Sequence, residues 1–404
     1  MVPLVMLAIM AGCAAFLFLK GTLVQGVTMV FNTIIAGFVA FGFFEMLARV
    51  LVKYSPGIAV WAPLICFALL FILTFAVLQT AASQLAKEKA DLGKLPEQIG
   101  RVVSGLLLGY LLTGHVLVAA AMAPLPSQYP YPRFDQRNPN PAKPSKPVLS
   151  PDGFVTGLFA TISKGSFSAI HQPRSFAVLH AGYMDQLYLN RRQVAEKVPL
   201  MTSMPTINVP KGGVRVAPDS LRDSEGKSLS IPPGENLMLV RVEMNARGLK
   251  DAGKFTLSQF RLVCGPRSSG KAPLGGQGQA VYPLGYIGDK GRLDRKPLDE
   301  ILAAQSDSGE PVKMDLAFSA PTSLTPLVLE FKRNDAAQVS LSAAGEEPLE
   351  MVPFGASSPP AQAGPQSQTS APEPSTPSRR PKSKSGKDRT TERVESLTGP
   401  LEQN

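Results

Sequence analysis

Residues 100–125, GRVVSGLLLGYLLTGHVLVAAAMAPL, limit what the rest of the chain can be. After Arg101 the stretch stays apolar for more than the ~20 residues that cross a bilayer core, interrupted only by small residues, Tyr110 and His115. It is expected to be a transmembrane helix. Gly105 and Gly109 stand one turn apart, Thr113 continues the ridge and Gly114 lies beside it, so a neighbouring helix backbone can approach closely. The ridge predicts packing against a membrane-protein partner or a second copy of the chain.

His115 falls near mid-bilayer in this helix. A charged residue there costs ~2.5 kcal/mol or more when it faces lipid, so it is expected to face the bundle and find a partner. By residue type the candidates are Glu45 and Asn32 on an earlier apolar segment. Two readings stay open: a neutral histidine bonded to a neighbouring helix, or a proton- or ion-handling site.

Upstream, residues 3–19 form a first apolar segment ending at Lys20-Gly21. No Lys or Arg precedes it, so an uncleaved helix is expected rather than a signal peptide. Residues 26–48 and 58–79 make a second and a third, which gives four spans with both chain ends on one side. Lys20, Lys87, Lys89, Lys94 and Arg101 lie on one side of the membrane, and Arg49, Lys53, Arg133 and Arg137 on the other. This slight bias places loops one and three in the cytoplasm and both termini outside.

The Lys20-Gly21 turn, the third segment FALLFILTFAVLQTAASQLAK and a fourth opened by Arg101 with Gly105, Gly109 and Gly114 resemble the colicin V production protein family over residues 1–125. The resemblance implies a small inner-membrane protein that supports toxin export or envelope maintenance, with no settled chemistry. The long extension after the fourth helix departs from that family.

The averages conceal this division, since 44% hydrophobic residues and a mean hydropathy of +0.07 describe two unlike halves of a 404-residue chain. Residues 126–151 are Pro-rich and predict a semi-rigid spacer that holds the C-terminal portion away from the bilayer. Residues 152–200 predict a helical connector, with Phe176, Leu179, Tyr183 and Leu187 on one face and Arg191 and Arg192 near its end. From 201 to 353 the period becomes two. Val312, Met314, Leu316 and Phe318 alternate with Lys313, Asp315 and Ser319, while Leu327, Leu329 and Phe331 alternate with Val328, Glu330 and Lys332. Residues 237–245, 256–264 and 338–342 add further strands, which predicts a two-sheet sandwich. The segments LSQFRLV, MDLAFSAP and LVLEF resemble small immunoglobulin-like domains, which implies adhesion or binding.

Residues 354–404 lack apolar periodicity and carry seven Lys and Arg between Arg379 and Arg393; a disordered, solubilising tail is expected there. Five Asp and Glu offset these seven cations, so the segment carries +2 of the formal charge of +10. No nucleic-acid partner is expected, although anionic headgroups or an extracytoplasmic polymer remain within its reach.

Little points to catalysis. Gly265 to Lys271 match the spacing of a phosphate loop, but Ala272 offers no hydroxyl to a metal ion, so a surface loop is expected. His115, His171 and His180 are the three histidines, too few and too scattered for a metal cluster. Three cysteines make no disulfide framework. No enzyme activity, metal or cofactor is expected. The lipid bilayer is the one partner all of this requires. Either the helices carry an envelope function or they anchor a β-sandwich that binds a protein or polymer outside the membrane.

Overall fold

Runs of apolar residues with few breakers make α1 (Val2–Lys20), α2 (Leu23–Tyr54), α3 (Ala62–Leu85) and α4 (Lys94–Met122). In a computed structural model of the chain, all four are long and apolar enough to cross a membrane. The structure describes residues 2–85, 93–164, 175–266, 277–306, 309–341 and 349–354. They belong to one compact unit, Met1–Ala356. The tail, His171 and the loop from Arg267 lie outside the described residues.

The Thr22 hydroxyl caps α2 by accepting from the Gln25 amide, and the Leu23 amide donates to Glu97 at the start of α4 (2.9 Å). Two unpartnered helix-end donors are thereby satisfied, and the starts of α2 and α4 are brought level. The two helices run parallel from there, with Gly26 beside Ser104 and Gly37 beside His115. Helix α3 returns antiparallel along α2, where Phe41 and Phe44 meet Phe67 edge-on.

After α4 the chain departs from the predicted spacer. Rather than extending away, residues 123–150 double back along α4 until the Tyr110 hydroxyl donates to the Leu149 carbonyl (2.9 Å). Helix α5 (Pro151–Ser163) then climbs beside α4 and α2. Phe159 stacks on Phe41 with ring centres 5.0 Å apart. The Pro-rich segment turns back because its own aromatic and charged residues, Tyr131, Arg133 and Phe134, are buried against the bundle and its neighbours.

The connector continues beyond α5 in two further short helices. Helix α6 (Phe176–Leu179) and helix α7 (Tyr183–Asn190) are separated by a corner at His180–Gly182, where Gly182 takes φ +67°, a conformation glycine adopts freely. Phe176, Tyr183 and Leu187 still share the core of the bundle, whereas Leu179 packs with the β-domain.

The β-domain comes next: β1 (Ile207–Asn208), β2 (Val214–Val216), β3 (Glu235–Met244), α8 (Ala246–Ala252), β4 (Lys254–Thr256), β5 (Phe260–Pro266), β6 (Gln279–Val281), β7 (Pro283–Ile287), β8 (Leu293–Arg295), β9 (Ile301–Ala303), β10 (Val312–Pro321), β11 (Leu324–Phe331) and β12 (Asp335–Gln338). One antiparallel sheet has the order β1-β3-β10-β7-β8, with β2 also on β3; the second has β12-β11-β5-β6, and β4 pairs with β9. Met238, Val240, Met314, Leu316 and Phe318 of the first sheet meet Phe260, Leu262, Leu329 and Phe331 of the second in one core. The chain is therefore a four-helix apolar bundle followed by a β-sandwich.

Alternation mispredicts two places. The face of β10 assigned to solvent is buried at Asp315 and Ala317, because Leu221, Leu229 and Ile231 from the segment between β2 and β3 pack against Ala317 and its sheet neighbours Leu237, Leu239, Ile287 and Leu293. A bulge between Pro326 and Val328 shifts the register of β11 against β5. Leu327 accordingly packs with Val178 of α6 and not with Leu329 and Phe331. Lys332, assigned to solvent, is only 2% exposed; its Nζ donates to the carbonyls of Pro199 and Lys254.

Candidate functional site

The small-residue ridge of α4 is occupied within the chain. A Cβ on Gly105 would stand 2.5 Å from the Cα of Ala14, and one on Gly109 2.5 Å from the Cα of Met10. Helix α1 lies backbone to backbone on this ridge, antiparallel to it. Within the chain, α1 is thus the neighbour that the Gly105/Gly109 face receives. Thr113 is buried and donates to the Gly109 carbonyl (2.7 Å). Gly114 serves a different neighbour: a Cβ there would meet the Pro151 carbonyl of α5 at 2.5 Å.

His115 is buried and faces the bundle, as its position requires. Neither expected partner reaches it. Its Nδ1 lies 2.8 Å from the Leu111 carbonyl in the preceding turn. Its ring is level with Gly37, whose missing side chain makes the space, and sits among Phe41, Phe67 and Phe71. Asn32 instead donates to Gln79 of α3 (3.1 Å). Glu45 pairs with His180 (3.0 Å). The reason is axial distance. Glu45 lies eight residues beyond Gly37, or ~12 Å along α2, and Asn32 five residues before it, ~8 Å the other way. A cavity of about 10 Å³ remains beside His115, bounded by Gly37, Phe38, Val155, Leu158 and Phe159. It approaches the size of one water molecule.

The densest polar chemistry lies where the far ends of α2 and α4 meet the β-domain. The last carbonyls of a helix have no partner in the helix and carry its negative dipole end. Two arginines take up those of α4. Arg191, fully buried, donates through Nη1 to Ala120 (3.4 Å) and Ala123 (3.3 Å), and Arg333 donates to Met122 (2.7 Å). The Arg191 guanidinium also lies 4.4 Å over the Tyr188 ring, a cation–π contact. Burial, with Arg191 nearby, pulls the Arg333 pKa down to about 10, so Arg333 remains charged near neutrality.

Beside them, Arg133 donates to Asp185 (2.6 Å) and to the Tyr131 hydroxyl (3.0 Å), and Tyr131 in turn donates to Asp152 at the start of α5. Burial raises the Asp185 pKa despite Arg133. Farther along, Glu45 of α2 connects through His180 and Gln186 to Glu330 of β11, which Arg261 of β5 holds (3.0 Å). Helix, connector and sandwich are thus joined by continuous hydrogen bonds through a largely buried layer.

Sequence reasoning assigned no role to Arg333, Tyr131, Asp152 or Arg261. The available signal was a run of charges, Asp185, Arg191 and Arg192, inside a segment of otherwise apolar helical period. Among the described residues no group of three or more His, Cys, Asp or Glu side chains is placed to hold a metal ion. No family model, curated protein or solved structure matches this chain.

Proposed function

We propose that this chain is an integral inner-membrane protein of the colicin V production type, supporting toxin export or maintenance of the cell envelope, with its sandwich on the extracytoplasmic side. The observation that carries this reading is the specificity of the helix packing. Anchoring needs only apolar length. This bundle adds two backbone-to-backbone contacts at Gly105 and Gly109, an Asn32–Gln79 pair and a histidine fitted against a glycine. Such features serve a defined internal geometry. The sidedness rests on the slight Lys and Arg bias of Lys20, Lys87, Lys89, Lys94 and Arg101 over Arg49, Lys53, Arg133 and Arg137, which favours the cytoplasm for loops one and three.

A second reading makes the helices an anchor for a sandwich that binds a protein or cell-wall polymer. The size of the β-domain, longer than the bundle, favours it. Truncation after residue 200 separates the two, since it keeps α5 to α7 on the bundle and removes the sandwich. In a strain lacking the protein, the truncated chain is expected to restore envelope integrity, measured as exclusion of a large antibiotic. Failure to restore it by a truncated chain that still inserts and stays monodisperse in detergent assigns the function to the sandwich.

A further inference from the structure

His180 sits at the corner between α6 and α7, with Phe176 and Tyr183 rings 4.8 and 5.2 Å from its own. Both of its nitrogens face acceptors, as the groups around it require. Arg261 donates to Oε2 of Glu330 through both Nε and Nη2, so this oxygen is an acceptor. Gln186 must therefore turn its amide nitrogen to Glu330 (2.9 Å), which leaves its oxygen toward His180 Nδ1 (3.2 Å). Nδ1 must carry a hydrogen. Nε2 lies 3.0 Å from Oε1 of Glu45. A hydrogen bond there needs a second proton, on the imidazole or on the carboxylate. Without it, a nitrogen lone pair opposes a carboxylate in a mostly buried site.

We propose that the one proton held between His180 and Glu45 latches the connector and sandwich to α2, so that this junction is tight at low pH and loosens as pH rises. Among the described residues, the charged or titratable groups that face His180 besides Glu45 are Glu330 from β11, Arg261 from β5 and Tyr183 from α7. Burial opposes the charge on His180, but Glu45, aided by Glu330, outweighs it and raises the histidine pKa above its ordinary value. Tyr183 is pushed far up by burial and stays neutral. A raised folded-state pKa means that the stabilisation is complete below the ordinary histidine range and is lost as pH climbs through the raised value. Glu45 is placed to act at the membrane boundary, because it stands 22 residues along α2 from Leu23, ~33 Å, against a core ~30 Å thick.

The test uses the full-length chain in detergent. Amide protection factors in residues 176–190 are followed from about pH 6 to about pH 9, with β10 amides as internal reference. A relative loss of about threefold or more is expected in the wild type and a clearly smaller change in His180→Gln or Glu45→Gln. Lys332, whose pKa burial lowers to about 7, titrates in the same interval. It is present in both variants, so its contribution does not separate them from the wild type. A flat wild-type profile, or an undiminished loss in His180→Gln, overturns the proposal. Should both variants misfold, nitrogen-15 histidine spectra of the wild type decide. With three histidines in the chain, the ring-nitrogen resonances of one must shift at a pH above the ordinary histidine range as the shared proton leaves the pair, and if none does the latch is refuted.

Discussion

At Gly109 any side chain would begin 2.5 Å from the Cα of Met10, a distance at which backbone must move. Gly109→Leu is therefore expected to destabilise the bundle by about 1–3 kcal/mol through forced separation of α1 and α4, read as a lower thermal midpoint in detergent. Gly42, where an added Cβ meets nothing within 4 Å, supplies the control: Gly42→Ala should leave the midpoint unchanged or raise it. Asp315 shows the same dependence on neighbours in electrostatic form. It is fully buried in β10 and accepts from Arg241 (2.9 Å), Arg215 (3.3 Å) and the Val352 amide (3.1 Å). Asp315→Ala strands two buried guanidinium groups, so a loss of roughly 3–5 kcal/mol is expected in denaturant titration of the sandwich signal. Period-two alternation marked Asp315 as solvent-facing. It could not show that a further apolar layer covers that face.

Among the elements, α5 departs most from its sequence reading. Its 13 residues are too few to span a bilayer, and its sequence, PDGFVTGLFATIS, suggests only a short amphipathic helix. In the fold it packs on α4 at Gly114 and on α2 at Phe41, level with His115. Irregular backbone at such depth is tolerated only where protein groups satisfy it, and the Tyr110 hydroxyl does so at Leu149. Phe159 is the contact that holds α5: it stacks on Phe41 and meets Phe176 edge-on at 4.8 Å. Phe159→Ala is expected to cost on the order of 3 kcal/mol and to increase proteolysis between residues 123 and 150. Unchanged cleavage in that segment would show that α5 does not depend on this ring. The glycine ridge, by contrast, was legible as a packing face; what it packs against was not, because small-residue spacing says that a backbone approaches but not whose.

For the whole molecule, the bundle and the sandwich behave as one body, since Arg191 and Arg333 satisfy the end of α4 from the connector and from the β-domain. Truncation after residue 200 keeps the first arginine and removes the second. The shortened chain is therefore expected to insert but to unfold at a lower temperature than the full one, and an unchanged midpoint would mean that the sandwich contributes nothing to the bundle. Hydropathy and periodicity alone determined that four helices suit hydrocarbon and that a β-sandwich comes after them, because both signals are local and depend on which solvent each face meets. Only the tertiary structure decided that α1 fills the glycine ridge, that the Pro-rich segment folds back, and that Glu45 meets His180 rather than His115. Those outcomes depend on contacts between residues far apart in sequence and on axial depth along the helices, and neither residue type nor spacing encodes them.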